Sequence, residues 1–398
     1  MSLSVAAQND NRSYIGLVAK VLAVCLAAVI PLSNSLTTII SLLVAVACIL
    51  YIDRPRFIMI IKHPITIAIL IFIALNLIDI TFSIASTNEI QQALRKYTRL
   101  LYFPLLLPLF TIIQWRNAAI LSFLCAVAIS VLAALSFGML VFKDSIFTSF
   151  FVSFAIFTLL HYSVDYKRYR IIAILAALFF TYYLFFINIG RVGQFLFIIL
   201  FLLFSWQRMA HSIKIQTMVI SPLILIIIAS IVLPSSFMSR QDKALREIQQ
   251  YMNIDASLVP HESSMGTRLI LAYNTLEIIK IKPLLGFGTG SFREAYAKYA
   301  PEVPREGIIR SNPHNQYLLT WAELGLPGLV SLLYLFFALM HTFIKSRNTA
   351  GYLGVGLVIA MAIGCCINSW LLDFTSAFFF VFFAAVFAAG TLQIISDK

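Results

Sequence analysis

His314 is the residue in this chain best suited to acid–base chemistry. It lies in the segment Asn312-Pro313-His314-Asn315, which predicts the start of a helix because Asn is a favoured N-cap and Pro a favoured first helical residue. His314 and Asn315 would then occupy the first turn. There the positive end of the helix disfavours the imidazolium and leaves a neutral nitrogen that can accept a proton. From the spacing alone, a histidine that only caps a helix is the commoner explanation.

Arg191 is a candidate for binding an anion. It lies in Gly190-Arg191-Val192-Gly193 between two strongly apolar segments, where a permanent charge is costly unless it meets an opposite charge. The planar guanidinium suits phosphate oxygens, and the flanking glycines would let a ligand approach the backbone. An arginine that only extends to the membrane surface explains the sequence about as well.

Arg268 and Arg293 fall at the starts of two predicted helices. The first helix covers 266–281, with Arg268 in its first turn. The second begins after Ser291 and ends near Tyr299, and Ser291 and Glu294 have the spacing of a capping box.

Three further arginines could contact phosphates of a substrate. Arg95 and Arg99 lie on an amphipathic stretch, 89–99, that could bind a phosphorylated lipid head group, although anchoring to anionic lipid explains it almost as well. Arg310, like Arg293, could assist with phosphates of a donor or acceptor. For both, an ion pair at the surface is the commoner explanation.

Three glycines, Gly286, Gly288 and Gly290, alternate along the segment before Ser291. Their spacing resembles a phosphate-binding loop only superficially, because no strand precedes it and no Gly-Lys-Ser or Gly-Lys-Thr follows. The segment is therefore interpreted as a turn.

The elements that position these residues are membrane spans. The chain has 398 residues, of which 61% are hydrophobic and 12% charged, and its mean hydropathy is +0.92. This polar content is too small to cover a water-soluble globule, so the sequence predicts an all-α integral membrane protein with roughly twelve spans. Their approximate positions are 14–32, 36–52, 64–83, 99–114, 118–140, 146–162, 171–188, 192–206, 215–233, 315–343, 352–370 and 372–393.

One long polar segment interrupts the spans, and it divides the chain into spans one to nine (1–233), a helical loop subdomain (234–313) and spans ten to twelve (314–398). Basic residues are concentrated in the short loops of one side, which predicts that this side is cytoplasmic. Both termini would then be cytoplasmic. The long loop would face the periplasm of a bacterial inner membrane.

Several function classes lack support. The net charge of +12 is spread over many short loops, so nucleic-acid binding is not indicated. No metal-ligand spacing or nucleotide loop appears, and a metal-free reaction without a cofactor is expected. The five cysteines all fall in apolar spans, so no disulfide framework is indicated.

The order of motifs resembles the lipopolysaccharide O-antigen ligases and their superfamily, which also contains O-antigen polymerases and protein O-oligosaccharyltransferases. The motif matches are confined to 190–194 and 266–328. The matching segments are Gly190-Arg191, Gly266-Thr267-Arg268, Pro283-Leu-Leu-Gly-Phe-Gly-Thr-Gly290, Pro313-His314-Asn315-Gln316-Tyr317-Leu318 and Glu323-Leu-Gly-Leu-Pro-Gly328. Within the superfamily, a chain that ends soon after its last span favours a ligase.

The resemblance implies a GT-C-like bundle and a glycosyltransferase. It would move O-antigen polysaccharide from undecaprenyl diphosphate to a sugar hydroxyl of lipid A-core, with inversion and without a metal. His314 would act as the base, while Arg191 and Arg268 would hold the diphosphate. Arg95, Arg99, Arg293, Arg310 and Asn315 are further substrate-binding candidates. Membrane lipids are expected contacts, and protein partners cannot be read from the sequence.

Alternatives remain open at this point. An O-antigen polymerase or a protein O-oligosaccharyltransferase would use the same donor. A transporter of polyisoprenoid-linked glycans or anions would use the arginines as a translocation site and would predict broken helices in paired halves, a symmetry that the sequence does not show. A structural scaffold without catalysis would tolerate alanine at every candidate.

Overall fold

The computed structural model describes residues 2–137, 143–188, 190–208, 264–301 and 312–392, and every regular element in these ranges is a helix. The α-helices are α1 (Ser2–Val29), α2 (Asn34–Tyr51), α3 (Arg54–Lys62), α4 (Pro64–Ile78), α5 (Thr87–Tyr97), α6 (Tyr102–Leu106), α7 (Ile113–Phe137), α8 (Ser145–Asp165), α9 (Arg170–Tyr182), α10 (Arg191–Arg208), α11 (Ser264–Ile281), α12 (Phe292–Tyr299), α13 (Gln316–Ile344), α14 (Thr349–Ile367) and α15 (Phe374–Thr391).

Eight helical segments within the described part of the chain are long and apolar enough to cross a membrane. This agrees with the prediction of a multi-pass, all-α membrane protein. The segments are Asn34–Tyr51, Pro64–Phe82, Ile113–Phe137, Ser145–Asp165, Lys167–Ile187, Gln316–Ile344, Thr349–Ile367 and Phe374–Thr391. The predicted span 215–233 and most of the loop subdomain's first half lie outside the described residues.

The span predicted at 99–114 is not a continuous helix. The chain instead forms a 3-10 turn at Thr98–Leu101, the short helix α6, and a second 3-10 turn at Leu107–Phe110. Pro104 and Pro108 lie within this stretch, and a proline both removes a helical N–H and clashes with the preceding turn. These prolines divide the predicted span.

Helix α15 forms the centre of the bundle. Every residue from Thr375 to Ala389 is buried, as expected of a helix that is apolar on all sides. Its Phe379 ring packs against Phe150, Phe151 and Phe154 of α8, with ring centroids 5.0 to 5.3 Å apart. This aromatic core fixes the start of α15 relative to α8.

Polar contacts between helix termini mark the two ends of the helical bundle. At the first end, called the site end, Lys143 before α8 donates to Asn34 of α2 and to Thr375 of α15. At the opposite end, called the far end, Arg208 at the end of α10 pairs with Asp165 at the end of α8, with 2.7 Å between nitrogen and oxygen.

Helix α13 is broken nine residues after it begins, and the break is built into its sequence. Gly325 has a φ of 63°, and Pro327 has no N–H to donate to the carbonyl of Glu323. The N–H of Leu326 is also diverted, because it donates to Pro283 O at 3.0 Å instead of bonding within the helix. The carbonyls of Ala322 and Glu323 are therefore left without their helical donors.

The glycine turn over 283–290 supplies the missing donors. Phe287 N donates to Ala322 O at 3.0 Å, and Gly288 N donates to Glu323 O at 2.8 Å. Gly286, Gly288 and Gly290 all have positive φ, of 66°, 94° and 77°, as the interpretation of this segment as a turn requires. The turn and the break thus exchange hydrogen bonds, and each satisfies the buried backbone of the other.

The same turn also contacts the end of α4. Thr289 Oγ1 donates to Asn76 O at 2.7 Å, and Ser83 Oγ donates to Thr289 O at 2.8 Å. A Cβ at position 288 would lie 2.2 Å from Ser83 Cα, so only glycine allows this approach. The turn therefore connects α4, α11 and α13.

Gly286→Ala should destabilise the protein more than Gly290→Ala. Both changes force a residue with a Cβ into left-handed backbone, which costs about 1–2 kcal/mol. At position 286 the new Cβ would also lie 2.3 Å from Glu323 O, against a nearest contact of 2.9 Å at position 290. Thermal unfolding of the detergent-purified variants measures the difference, and equal losses would contradict the hydrogen-bond exchange described above.

Candidate active site

His314 lies outside helix α13, which corrects the prediction that it occupies the first turn. The helix begins at Gln316, and its N-cap is Asn315 instead of Asn312. His314 precedes the cap with a φ of 54°, so it adopts left-handed backbone. This conformation is uncommon for a residue with a side chain and calls for support from its surroundings.

The support for His314 is a set of four linked hydrogen bonds among residues 312–314 and 368–369, here called the clasp. His314 N donates to Asn312 Oδ1 at 2.9 Å, and Ser369 Oγ donates to the same oxygen at 2.7 Å. His314 Nδ1 lies 3.0 Å from Asn368 Oδ1, which also accepts Ser369 N at 2.8 Å. The segment between α14 and α15 thereby holds the backbone and the ring of His314 together.

Asn315 connects α13 to α14. Its Oδ1 accepts the backbone N–H groups of Tyr317 and Leu318, both at 3.0 Å, and its Nδ2 donates to Cys366 O at 3.1 Å. The side chain that was predicted to bind substrate therefore has a capping role in the fold. Its binding role stays a prediction.

Arg191 is the first residue of α10, and its side chain is exposed. The glycines beside it serve helix packing, and their role in admitting a ligand stays a prediction. A Cβ on Gly193 would lie 2.4 Å from Ser149 of α8, and Ser153 Oγ donates to Gly193 O at 2.7 Å. Close contact of α10 with α8 fixes Arg191 at the site end.

Arg268 lies in the second turn of α11 and is half-buried. Burial lowers the pKa of its guanidinium, although an arginine stays charged at any physiological pH. Its helix packs on α13 through an apolar cluster that includes Leu271 and Ile278 of α11 together with Leu319 and Ala322 of α13. Arg268 and His314 are thus carried by elements that pack directly on each other.

Contacts within the protein distinguish Arg191 and Arg268 from Arg293 and Arg99. Within the described part of the chain, neither Arg191 nor Arg268 forms a salt bridge, whereas Arg293 lies 3.6 Å from Glu89. Arg99 donates to Leu372 O at 3.1 Å, and its guanidinium lies 4.9 Å from the ring centroid of Phe374.

Arg95 is exposed on α5, and Arg310 lies outside the described residues. Substrate binding by either arginine stays a prediction.

The predicted capping box at the start of α12 is not formed, although the helix itself ends at Tyr299 as predicted. Ser291 Oγ donates to Gly288 O at 2.6 Å instead of capping. The N–H of Phe292 is accepted by the buried carboxyl of Glu323 at 3.3 Å. Glu294 lies beside Glu89, and burial, followed by this neighbouring carboxylate, raises the pKa of Glu294. A side chain from α13 has replaced the local cap.

Asn368 and Ser369 are site residues that the sequence motifs do not indicate. Both follow the last turn of α14, where a polar pair at the end of an apolar span is an ordinary helix terminus. The only available signal was the polar cluster Asn-Ser near the site end of two spans, and that signal does not name a partner.

Comparison with known proteins finds a family that is similar to part of the chain. Residues 171–333 match the model of the Wzy_C family, described as O-antigen ligase. This part of the chain is similar to the O-antigen ligase family. Arg191, Arg268 and His314 all fall inside the matched region, whereas Arg95, Arg99 and Asn368 lie outside it.

An uncharacterized protein of Haemophilus influenzae is also similar to part of the chain. The two are 30% identical over 89 residues, which cover 22% of each protein. The match covers less than a quarter of that protein's length. It therefore indicates that one segment is related and carries no information about activity.

Asn315→Ala should lower the stability of the protein by about 1 kcal/mol, because the first N–H groups of α13 would lose their acceptor. Asn315→Asp keeps that acceptor and adds a charge that favours a helix start, so it should stay close to wild type. Thermal unfolding of the two variants side by side is the measurement. A loss as large for Asp as for Ala would show that the bond to Cys366 O matters more than the cap.

Proposed function

We propose that this chain is an O-antigen ligase. It transfers O-antigen polysaccharide from undecaprenyl diphosphate to a sugar hydroxyl of lipid A-core. The observation that carries the proposal is that one family-matched region contains His314 and two arginines, Arg191 and Arg268, without a carboxylate partner among the described residues. An uncompensated guanidinium is costly near a membrane unless it meets an anion, and a diphosphate offers one.

In the proposed reaction, the acceptor oxygen attacks the anomeric carbon of the first O-antigen sugar. His314 removes the hydroxyl proton as the new carbon–oxygen bond forms, and the bond from the anomeric carbon to the diphosphate breaks. Undecaprenyl diphosphate leaves with that electron pair, and its added charge is offset by Arg191 and Arg268. The glycosyl diphosphate is already activated, so no further energy source is required.

The proposed location is a bacterial inner membrane with the site end toward the periplasm and both termini in the cytoplasm. The far end carries basic residues in its short connections, among them Arg168, Arg170 and Arg208, and cytoplasmic loops are enriched in such residues. A periplasmic site end would meet both lipid-linked substrates at the outer surface of that membrane.

His314→Ala should lower the transfer rate by about 10²–10⁴-fold, the usual range for loss of a general base. Arg191→Ala and Arg268→Ala should each cost about 10²–10³-fold through lost stabilisation of the leaving group. The rates are measured with purified protein, undecaprenyl diphosphate-linked O-antigen and lipid A-core, and the product is read as a ladder on lipopolysaccharide gels. Arg168→Ala, an exposed arginine at the far end, is the matched control and should keep wild-type activity.

The same assay distinguishes the alternatives. Wild-type protein that leaves the core bare and lengthens the undecaprenyl-linked glycan would make the chain a polymerase. If wild type forms the ladder and the three variants do so equally well, the ligase assignment survives but the site assignment does not. Expression and thermal midpoints of each variant must match wild type before rates are compared.

A further inference from the structure

The ring of His314 contacts Asn368, a residue outside the family-matched region. The distance from His314 Nδ1 to Asn368 Oδ1 is 3.0 Å, which is a normal hydrogen bond. Which atom donates is decided by the other bond that Asn368 makes.

The orientation of the Asn368 amide is determined by the backbone N–H of the next residue, Ser369. Ser369 N donates to Asn368 Oδ1 at 2.8 Å, and an N–H cannot donate to the NH₂ group that a flipped amide would present. The atom facing His314 is therefore an oxygen, which only accepts. His314 Nδ1 must then carry the proton.

A neutral imidazole has one N–H, so a proton on Nδ1 leaves Nε2 with a free lone pair. Nε2 is the nitrogen farther from the backbone. No hydrogen bond to it occurs within the described part of the chain. The clasp thus selects the tautomer in which the outer nitrogen can accept a proton.

The segment that carries Asn368 is held at several points. Ser376 Oγ donates to Trp370 O at 2.7 Å, and the Trp370 ring is buried 4.8 Å from the ring of Phe150. Arg99 donates to Leu372 O at 3.1 Å. Because these contacts reach the 3-10 turn at Thr98–Leu101, α8 and α15, the position of Asn368 is set by the core of the bundle.

We propose that Asn368 is the positioning residue of the base, holding His314 in the Nδ1–H tautomer with Nε2 free for the acceptor hydroxyl. The proposal rests on the transferase function proposed above. It extends that function by a residue that acts through His314 and does not touch substrate. Arg99, which the sequence offered as a substrate-binding candidate, anchors the segment that carries Asn368 through its hydrogen bond to Leu372 O. A neutral amide fixes the tautomer without the negative charge that would favour the imidazolium.

The first test separates positioning from general stability. Asn368→Ala should lower kcat by about 10–100-fold, the usual effect of losing a supporting hydrogen bond to a site residue, with KM for donor and acceptor nearly unchanged. Asn368→Asp keeps an acceptor of the same length and should recover most of that loss at mildly alkaline pH. A wild-type kcat for Asn368→Ala, or an Asp variant no better than Ala, would overturn the proposal.

Asn348→Ala is the matched control. Asn348 caps the opposite end of the same helix, α14, where its Oδ1 accepts Gly351 N at 2.8 Å and its Nδ2 donates to Gly390 O at 3.0 Å. Its loss should lower the thermal midpoint while leaving kcat unchanged. A comparable fall in kcat for this variant would mean that α14 acts only through stability.

The second test needs no activity. Nitrogen NMR of ¹⁵N-histidine-labelled full-length protein in lipid nanodiscs, with His314→Gln used to assign the signal among the six histidines, reports the tautomer directly. Wild type should show Nδ1–H, and Asn368→Ala should show a mixture or Nε2–H. Nε2–H in wild type would refute the proposal even if the enzyme is active. Nδ1–H in a protein that transfers no glycan would leave the clasp intact and refute the function.

Discussion

The architecture of the site depends on an exchange of backbone hydrogen bonds at the break in α13. A membrane helix cannot leave carbonyls unpaired in an apolar setting without a large cost. Pro327 and the diverted N–H of Leu326 free two carbonyls, and the glycine turn over 283–290 supplies both donors. Neither element is satisfied alone, so each requires the other to fold into place. The break is thus a docking surface for the loop subdomain as well as a bend in a span.

This exchange explains how a polar subdomain is held against an apolar bundle. The turn lies between α11 and α12, and it contacts α13 on one side and the end of α4 on the other. The helix that carries Arg268 is thereby joined to the helix that begins beside His314. Glu323 adds to the same joint, since its side chain caps α12 while its backbone accepts Gly288 N. The motif Glu323-Leu-Gly-Leu-Pro-Gly328 is therefore explained by packing without a catalytic role.

A second joint, the clasp, holds the histidine itself. His314 adopts a backbone conformation that costs free energy, and a chain keeps such a conformation only where the surroundings determine it. Here the surroundings are two residues that follow α14 and are supported by the aromatic core around α15. Scaffold and site are separated in function: the phenylalanine core sets where the helix ends lie, and the polar residues at those ends set the chemistry.

The sequence by itself determined the membrane class, most of the spans, the glycine turn and the short helix ending at Tyr299, because apolar length, glycine spacing and local propensity are properties of neighbouring residues. It also named His314, Arg191 and Arg268 through their chemistry and a family resemblance. Only the tertiary structure decided the partner of His314, since Asn368 is 54 positions away. It likewise decided that Arg99 bonds to the backbone of Leu372 and that Arg293 pairs with Glu89. It also decided that the glycines beside Arg191 pack against α8. Hydrogen bonds between distant segments and the close approach of two helices leave no periodic signal in a single sequence.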